Sequence, residues 1–375
     1  MAPPLTPSVA AVARVAYLSS DAVVDSPSVF SLYWKSLPQD AFRSTAITAL
    51  PHGSDPNPAL LRHSAASLLS YTAPTSSALI RLLPHLSELS SRPVVIHVAA
   101  QGDLADALVL RAAVPYFIHS STAQQAHDNA LLASRLARTE RKAVVHIFHI
   151  GDKNDVVEEV TEDKVKPFLS AEKRTRTLSR SSSRARSPVP ARPQSPIARP
   201  YSPSPTRPYS PVPRHPNGYS NGVVNGHVRK GSDPNGHHSP RPSTPGTPTF
   251  TIPVNPATAE SLERYESAAL ATLALVRRSQ RALARRGHSE PHTVIFGLGQ
   301  TNLDFNVDRV AYIDVSLLSP LPSSLLLSAV RPSVRHVIVL EQIQKWTTKW
   351  TPLFLDVLNV LQHRDPEDRP TVRSA

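Results

Sequence analysis

The sequence predicts an α/β fold made of two parallel-sheet units separated by a long disordered insertion. Three observations carry this. β-Branched apolar runs alternate with helix-like segments on both sides of the chain's middle, the pattern of strands joined by crossover helices. The 375 residues hold 38 prolines and only 40% hydrophobic residues, so much of the chain is not packed core. The prolines and the excess basic residues concentrate in one internal stretch, which leaves a first unit at 1–170, an insertion at 171–252 and a second unit at 253–375.

The first residues, ARVAYLSS followed by SVFSLYWKSL and NPALLRHSAASLLSYTAPTSSALIRLLPHL, read as one strand with two or three helices. RPVVIHVAA and, later, KAVVHIFHI are continuous apolar runs bounded by polar residues, as in strands buried on both faces. Between them Leu104 to Ala113 is a short helix, PYFIHS a short strand, and Thr122 to Arg138 a longer helix opened by Ser121 with Gln124 three residues on. After the insertion, Asn255 and Pro256 supply an N-cap and an N1 proline for a helix that runs to Gly287, with Arg285 and Arg286 in its last turn. The strands HTVIFGLG and VAYIDVSLL, a short helix near Ser323 to Val330, the strand HVIVLEQ and a final helix carrying Leu353, Val357 and Leu361 on one face complete the second unit.

From Lys173 to Arg214 every charged residue is basic, and the stretch that follows to Thr249 is equally poor in apolar groups. Such a segment cannot bury enough surface to offset roughly 1–2 kcal/mol of backbone entropy per residue. The formal charge of +12 therefore sits mainly in the insertion, while the flanking units are close to neutral. The chain has no cysteine, which excludes thiolate nucleophiles, disulfides, Cys-type zinc sites and thiolate-held iron–sulfur clusters. No stretch reaches the roughly 20 continuous apolar residues of a membrane span. Arg14 follows the mild N-terminal apolar run rather than preceding it, so no signal peptide is expected and the cytoplasm is the default location.

Starting at Thr72, a TAPTSS turn before a helix, then PVVIHVAA, GDLADALVLR, SSTAQQAHDNALLA and a strand ending in FH together resemble the pyrimidine-binding domain of pyruvate:ferredoxin oxidoreductases. The later string HTVIFGLG to VLNVLQ is similar to the following, transketolase C-terminal-like domain of that family. Its VLEQ and KWTPLFLDV endings most resemble the flavoprotein (alpha) subunit of fungal NADPH sulfite reductases. That resemblance implies a non-catalytic N-terminal part of an assimilatory sulfite reductase, in which FAD and NADPH bind on a C-terminal module beyond Ala375. The haemoprotein (beta) subunit is then the expected partner. It further implies that thiamine chemistry is absent: the family's ylid-forming glutamate lies upstream of the TAxxS turn, this chain has no glutamate before Glu88, and Asp55 in a GSDPNP turn does not match.

Several motifs invite a functional reading. Arg199-Pro200-Tyr201-Ser202 and Arg207-Pro208-Tyr209-Ser210 fit the RxYS pattern with which ferredoxin-reductase-like domains hold FAD, but they lie in a proline-dense repeat without strand alternation. Gly297 and Gly299 follow a strand as in a dinucleotide fingerprint, yet the third glycine is missing and a strand-end turn explains them. His146 and His149 are three apart on a strand, hence on opposite faces and unsuited to sharing a metal; they read as core or edge residues, and His237-His238 has no supporting ligand spacing. Ser120, Ser121 and Thr122 read as helix-cap residues rather than a nucleophile. No catalytic, cofactor-binding or metal-ligating residue is assigned.

The proline-directed positions Ser187, Ser195, Ser202, Ser204, Ser210, Ser239, Thr244 and Thr247 are candidate phosphorylation sites, with proline-directed kinases as partners. Each phosphate adds about −1.5 to −2 charges, so a handful inverts the insertion's sign. This supports an alternative function, a regulatory or scaffold protein whose phosphorylatable insertion works from a degenerate oxidoreductase scaffold. A nucleic-acid partner is not expected, because the basic segment lacks a recognition fold and aromatic interleaving.

Overall fold

The computed structural model describes residues 5–37, 45–63, 65–74, 77–170, 256–299, 308–343 and 350–375, all within one compact unit. The expected pair of parallel α/β sheets is present. The insertion 171–252 lies outside the described residues, and so do the candidate phosphorylation sites, both RPYS copies and His237-His238.

The first sheet is built from β1 (Ala22–Asp25), β2 (Ala46–Ala49), β3 (Leu69–Pro74), β4 (Val94–Ala100), β5 (Tyr116–Ser120) and β6 (Val144–His149). These six are mutually parallel. The second contains β7 (Leu283–Gly287), β8 (Thr293–Leu298), β9 (Val310–Val315), β11 (His336–Glu341) and β12 (Thr371–Ser374), parallel except for β7, which runs antiparallel to β9. β10 (Leu317–Ser319) follows β9 after a single residue but pairs antiparallel with β5, giving the orders β10-β5-β6-β4-β3-β1-β2 and β12-β11-β8-β9-β7.

The helices among the described residues are α1 (Pro7–Ser19), α2 (Phe30–Ser36), α3 (Asn57–Arg62), α4 (Ser77–Ile80), α5 (Leu86–Leu89), α6 (Ala105–Leu108), α7 (Ala123–Glu140), α8 (Glu162–Ser170), α9 (Pro256–Val276), α10 (Ser323–Ala329) and α11 (Pro352–Leu361). None is long and apolar enough to cross a membrane. One core joins both sheets: Tyr71, Ile96 and Phe117 from the first share a cluster with Phe296, Ile313 and Val337 from the second. On the other side of the first sheet, α1, α2, α7 and α8 bury Val12, Phe30, Ala130 and Phe168 around Phe148.

Two readings of the sequence are corrected. The N-terminal region holds three strands, β1 to β3, rather than one, and ARVAYLSS belongs almost wholly to the helix α1. Four-residue strands such as AVVD are too short to show a period, and α1 is buried around much of its circumference, so its apolar run does not alternate. The helix expected to reach Gly287 ends at Val276, where Arg277 turns to φ +58°, and Arg285 and Arg286 lie on β7. Alanine, leucine and arginine favour helix locally, but pairing with β9 overrides that preference. Gly287 does not stop a helix: with φ +91° it lets the chain pass so close to Val310 that a Cβ would stand 2.6 Å from its carbonyl oxygen.

Candidate functional site

In the first sheet the chain steps from β1 to β2 on one side and returns to β3 on the other, so the connection reverses at β1. Open α/β sheets bind ligands outside the carboxyl ends of their strands at such a reversal. Asp25, the last residue of β1, sits there in register with Thr72 of β3. Its carboxylate is 2% exposed and accepts hydrogen bonds from Ser31 Oγ at 2.7 Å and Thr72 Oγ1 at 2.7 Å. Burial raises the Asp25 pKa above the ordinary carboxylate value, and the hydroxyls of Ser31 and Thr72 only partly offset it. Beside it Ser26 Oγ meets the Tyr71 hydroxyl at 2.7 Å, with the phenol pushed up to about 12 by burial.

A cavity of about 680 Å³ opens onto this carboxylate. Ser31, Trp34 and Lys35 of α2 form one wall, and Ile47 and Ala49 of β2 the other. A buried carboxylate with adjacent hydroxyls, an indole and an exposed ammonium together give this cavity polar groups suited to a small polar ligand. The sequence reading did not single out Asp25; the available signal was a carboxylate ending an otherwise apolar strand and followed by SPS.

The second sheet reverses likewise between β8 and β11, and Glu341 ends β11. Its oxygens accept from the N–H groups of Leu353 at 2.8 Å and Phe354 at 3.2 Å, capping the first turn of α11. Burial raises its pKa to about 7. Gly297 lies inside β8 against Tyr312, where a Cβ would collide with the phenol, and Gly299 takes φ +130° beside Gln342. Both glycines thus answer to close packing and a strand-end turn.

A second polar group lies deeper, where the sequence left only caps and lone histidines. Ser120 is the final residue of β5, not a cap: its Oγ accepts from Asn129 Nδ2 at 2.8 Å and lies 3.0 Å from His146 Nε2. His146 Nδ1 in turn lies 3.2 Å from His97 Nδ1 on β4. The helix N-cap is Thr122, whose Oγ1 accepts from Gln125 N–H, while Gln125 Oε1 accepts from Ser121 N–H; the box is shifted by one residue from the expected Ser121–Gln124 pair. His149 meets a different ring, His119, edge to face at 5.4 Å between centroids. Burial depresses the pKa of His97, His119 and His149 to about 3, and that of His146 well below its usual range.

This group has the first two members of a serine–histidine relay, but a second neutral imidazole stands where such a relay places a carboxylate. Ser120, His97 and His146 are fully buried, so the chain of hydrogen bonds serves the core. Among the described residues no cluster of three or more histidines and carboxylates is placed to hold a metal. Asp55, the carboxylate nearest to the thiamine position in sequence, is half exposed and accepts from Asn57 N–H at 2.9 Å in the turn before α3. That arrangement belongs to the turn before α3.

No protein-family model matches the chain, and no curated protein matches it. Among solved structures it is similar to a 2-oxoglutarate:ferredoxin oxidoreductase from Magnetococcus marinus, with 10% sequence identity and a TM-score of 0.48. The match covers 98% of this chain but spans only 61% of that one.

Proposed function

We propose that this chain is an assembly scaffold: a fused pair of oxidoreductase-type α/β units that positions partners rather than performing the redox step. The observation that carries this reading is the crossing of β10 from the second unit into the sheet of the first, with His119 N–H donating to Ser316 O at 2.7 Å where the chain passes over. Side chains reinforce the joint. Asp314 of β9 accepts from Ser121 Oγ at 3.0 Å and Gln125 Nε2 at 3.1 Å, and Arg111 pairs with Asp356 of α11. A body stiffened in this way can hold other domains or subunits in fixed relation.

At the finer level the reading is the N-terminal part of an assimilatory NADPH sulfite reductase flavoprotein subunit, acting in sulfur assimilation. It rests on the VLEQ and KWTPLFLDV resemblance alone. FAD and NADPH would then be bound by sequence or subunits outside residues 1–375, and the haemoprotein subunit would be the docking partner. Co-expression of the full chain with that haemoprotein tests it. A complex surviving size exclusion is expected, whereas separate elution together with unimpaired sulfite reduction in a deletion strain would overturn it. The eight Ser-Pro and Thr-Pro positions motivate the second reading, a kinase-regulated scaffold. Phosphopeptide mapping that found them unmodified in growing and stressed cells would remove it.

A further inference from the structure

We propose that the outer edge of β7 is a docking site for an extended polypeptide segment that alternates acidic and apolar residues and adds to the second sheet as a further strand. β7 ends the strand order, and among the described residues it pairs only with β9. Which of its backbone groups face outward follows from hydrogen-bond parity. His288 N–H donates to Val310 O, and Ser316 N–H donates to Ala282 O. In the register Leu283↔Val315 these contacts make the even-numbered residues the hydrogen-bonded pairs, so the N–H and C=O groups of Leu283, Arg285 and Gly287 point away from β9. An incoming strand can take them all.

Beside this edge lies a groove of about 510 Å³. Tyr265, Leu270 and Leu273 of α9 line one side, Leu283 and Ile313 its sheet side, and Leu325 of α10 the far end. Leu270 is 66% exposed and Leu325 is 40% exposed, an apolar surface of the kind that marks an interaction site. Every second side chain of an added strand would reach this groove.

Charge selects the occupant. Arg281 and Arg285 line the groove with a single carboxylate, Glu266, and Arg331 stands close enough to Arg285 to disfavour its protonated form further, after burial. Among the described residues none of Arg281, Arg285 and Arg331 forms an ion pair. A second copy of β7 would bring arginine against arginine, the arrangement by which edge strands resist self-pairing. An acidic strand gains where a basic one or a second copy is repelled, and only a polypeptide matches the alternating N–H and C=O row in spacing.

Fluorescence anisotropy with the full chain tests the site. The probes are a labelled decapeptide of alternating Val and Glu, its Val/Lys counterpart, the Val/Glu peptide N-methylated at alternate amides, and single-stranded oligothymidine. Saturable binding of the Val/Glu peptide is expected, weakened at least tenfold by N-methylation, by Arg285→Glu and by Leu270→Glu. Leu270→Glu lies on an exposed helix position and decides the matter should Arg285→Glu disturb the loop that Arg285 Nη2 braces through His288 O and Ser289 O. The proposal is overturned by no binding up to about 1 mM, by equal binding of the Val/Lys peptide, by tighter binding of oligothymidine that Arg285→Glu and Leu270→Glu weaken as strongly, or by indifference to both substitutions.

Discussion

At the scale of single residues, the interior of the first sheet is unusual in the number of imidazoles it keeps neutral. His97, His119, His146 and His149 come from three adjacent strands and are all buried. Each has a folded pKa far below the ordinary histidine value of about 6.5, because burial penalises the imidazolium. The unfolded chain therefore takes up protons first as pH falls. For His97, His119 and His149 stability is fully present above pH 6.5 and is lost between there and about pH 3, at up to roughly 1.4 kcal/mol per pH unit for each, and His146 acts in the same direction. Urea midpoints measured at pH 7, 6 and 5 are expected to fall steeply. His119→Phe, which keeps an aromatic ring but no titratable nitrogen, should flatten the slope by about one proton; an unchanged slope would show that His119 titrates normally in the folded state.

At the scale of elements, α7 packs against α1, α8 and α9 and against the strands β4, β5 and β6, and its C-terminal end is strained. Its C-cap Arg141 sits at φ 55°, ψ 42°, a left-handed conformation that a residue with a Cβ adopts at a cost of roughly 1 kcal/mol. Arg141→Gly is expected to stabilise the protein by about 0.5–1 kcal/mol, a rise of about 2 °C in Tm for a body of this size. A calorimetric scan showing a lower Tm would mean that the arginine side chain contributes more than its backbone costs. The same terminus shows what the sequence could reveal. The long helix α7 and the apolar strands β4 and β6 were legible because their length or continuous burial leaves a strong pattern. Left-handed caps at Arg141 and Arg277 were not, because neither is a glycine, and the second one hid the boundary between α9 and β7. The candidate site was hidden for a related reason. Asp25 meets Thr72 across two strands 47 positions apart, and local periodicity carries no record of that pairing.

At the scale of the whole molecule, the two sheets share one hydrophobic cluster, and the second half of the chain contributes α9 and β10 to the first half's surroundings. Arg278, just after α9, donates to Asp128 of α7 at 2.8 Å and also pairs with Glu158, while Gln280 Nε2 reaches the same Asp128 at 3.1 Å. Burial alone would raise the Asp128 pKa, but hydrogen bonds from His127 and Arg278 hold it below the usual range. Because the core and these links cross between the units, partial unfolding of either one would strip apolar surface from the other and leave Asp128 without its cation. The described body is therefore expected to unfold in one step, with calorimetric and van't Hoff enthalpies agreeing. Arg278→Ala should cost about 3 kcal/mol and lower the single transition without splitting it. Two resolved transitions in the unaltered chain would show that the sheets fold independently, and the scaffold reading would lose the rigid joint at β10 on which it depends.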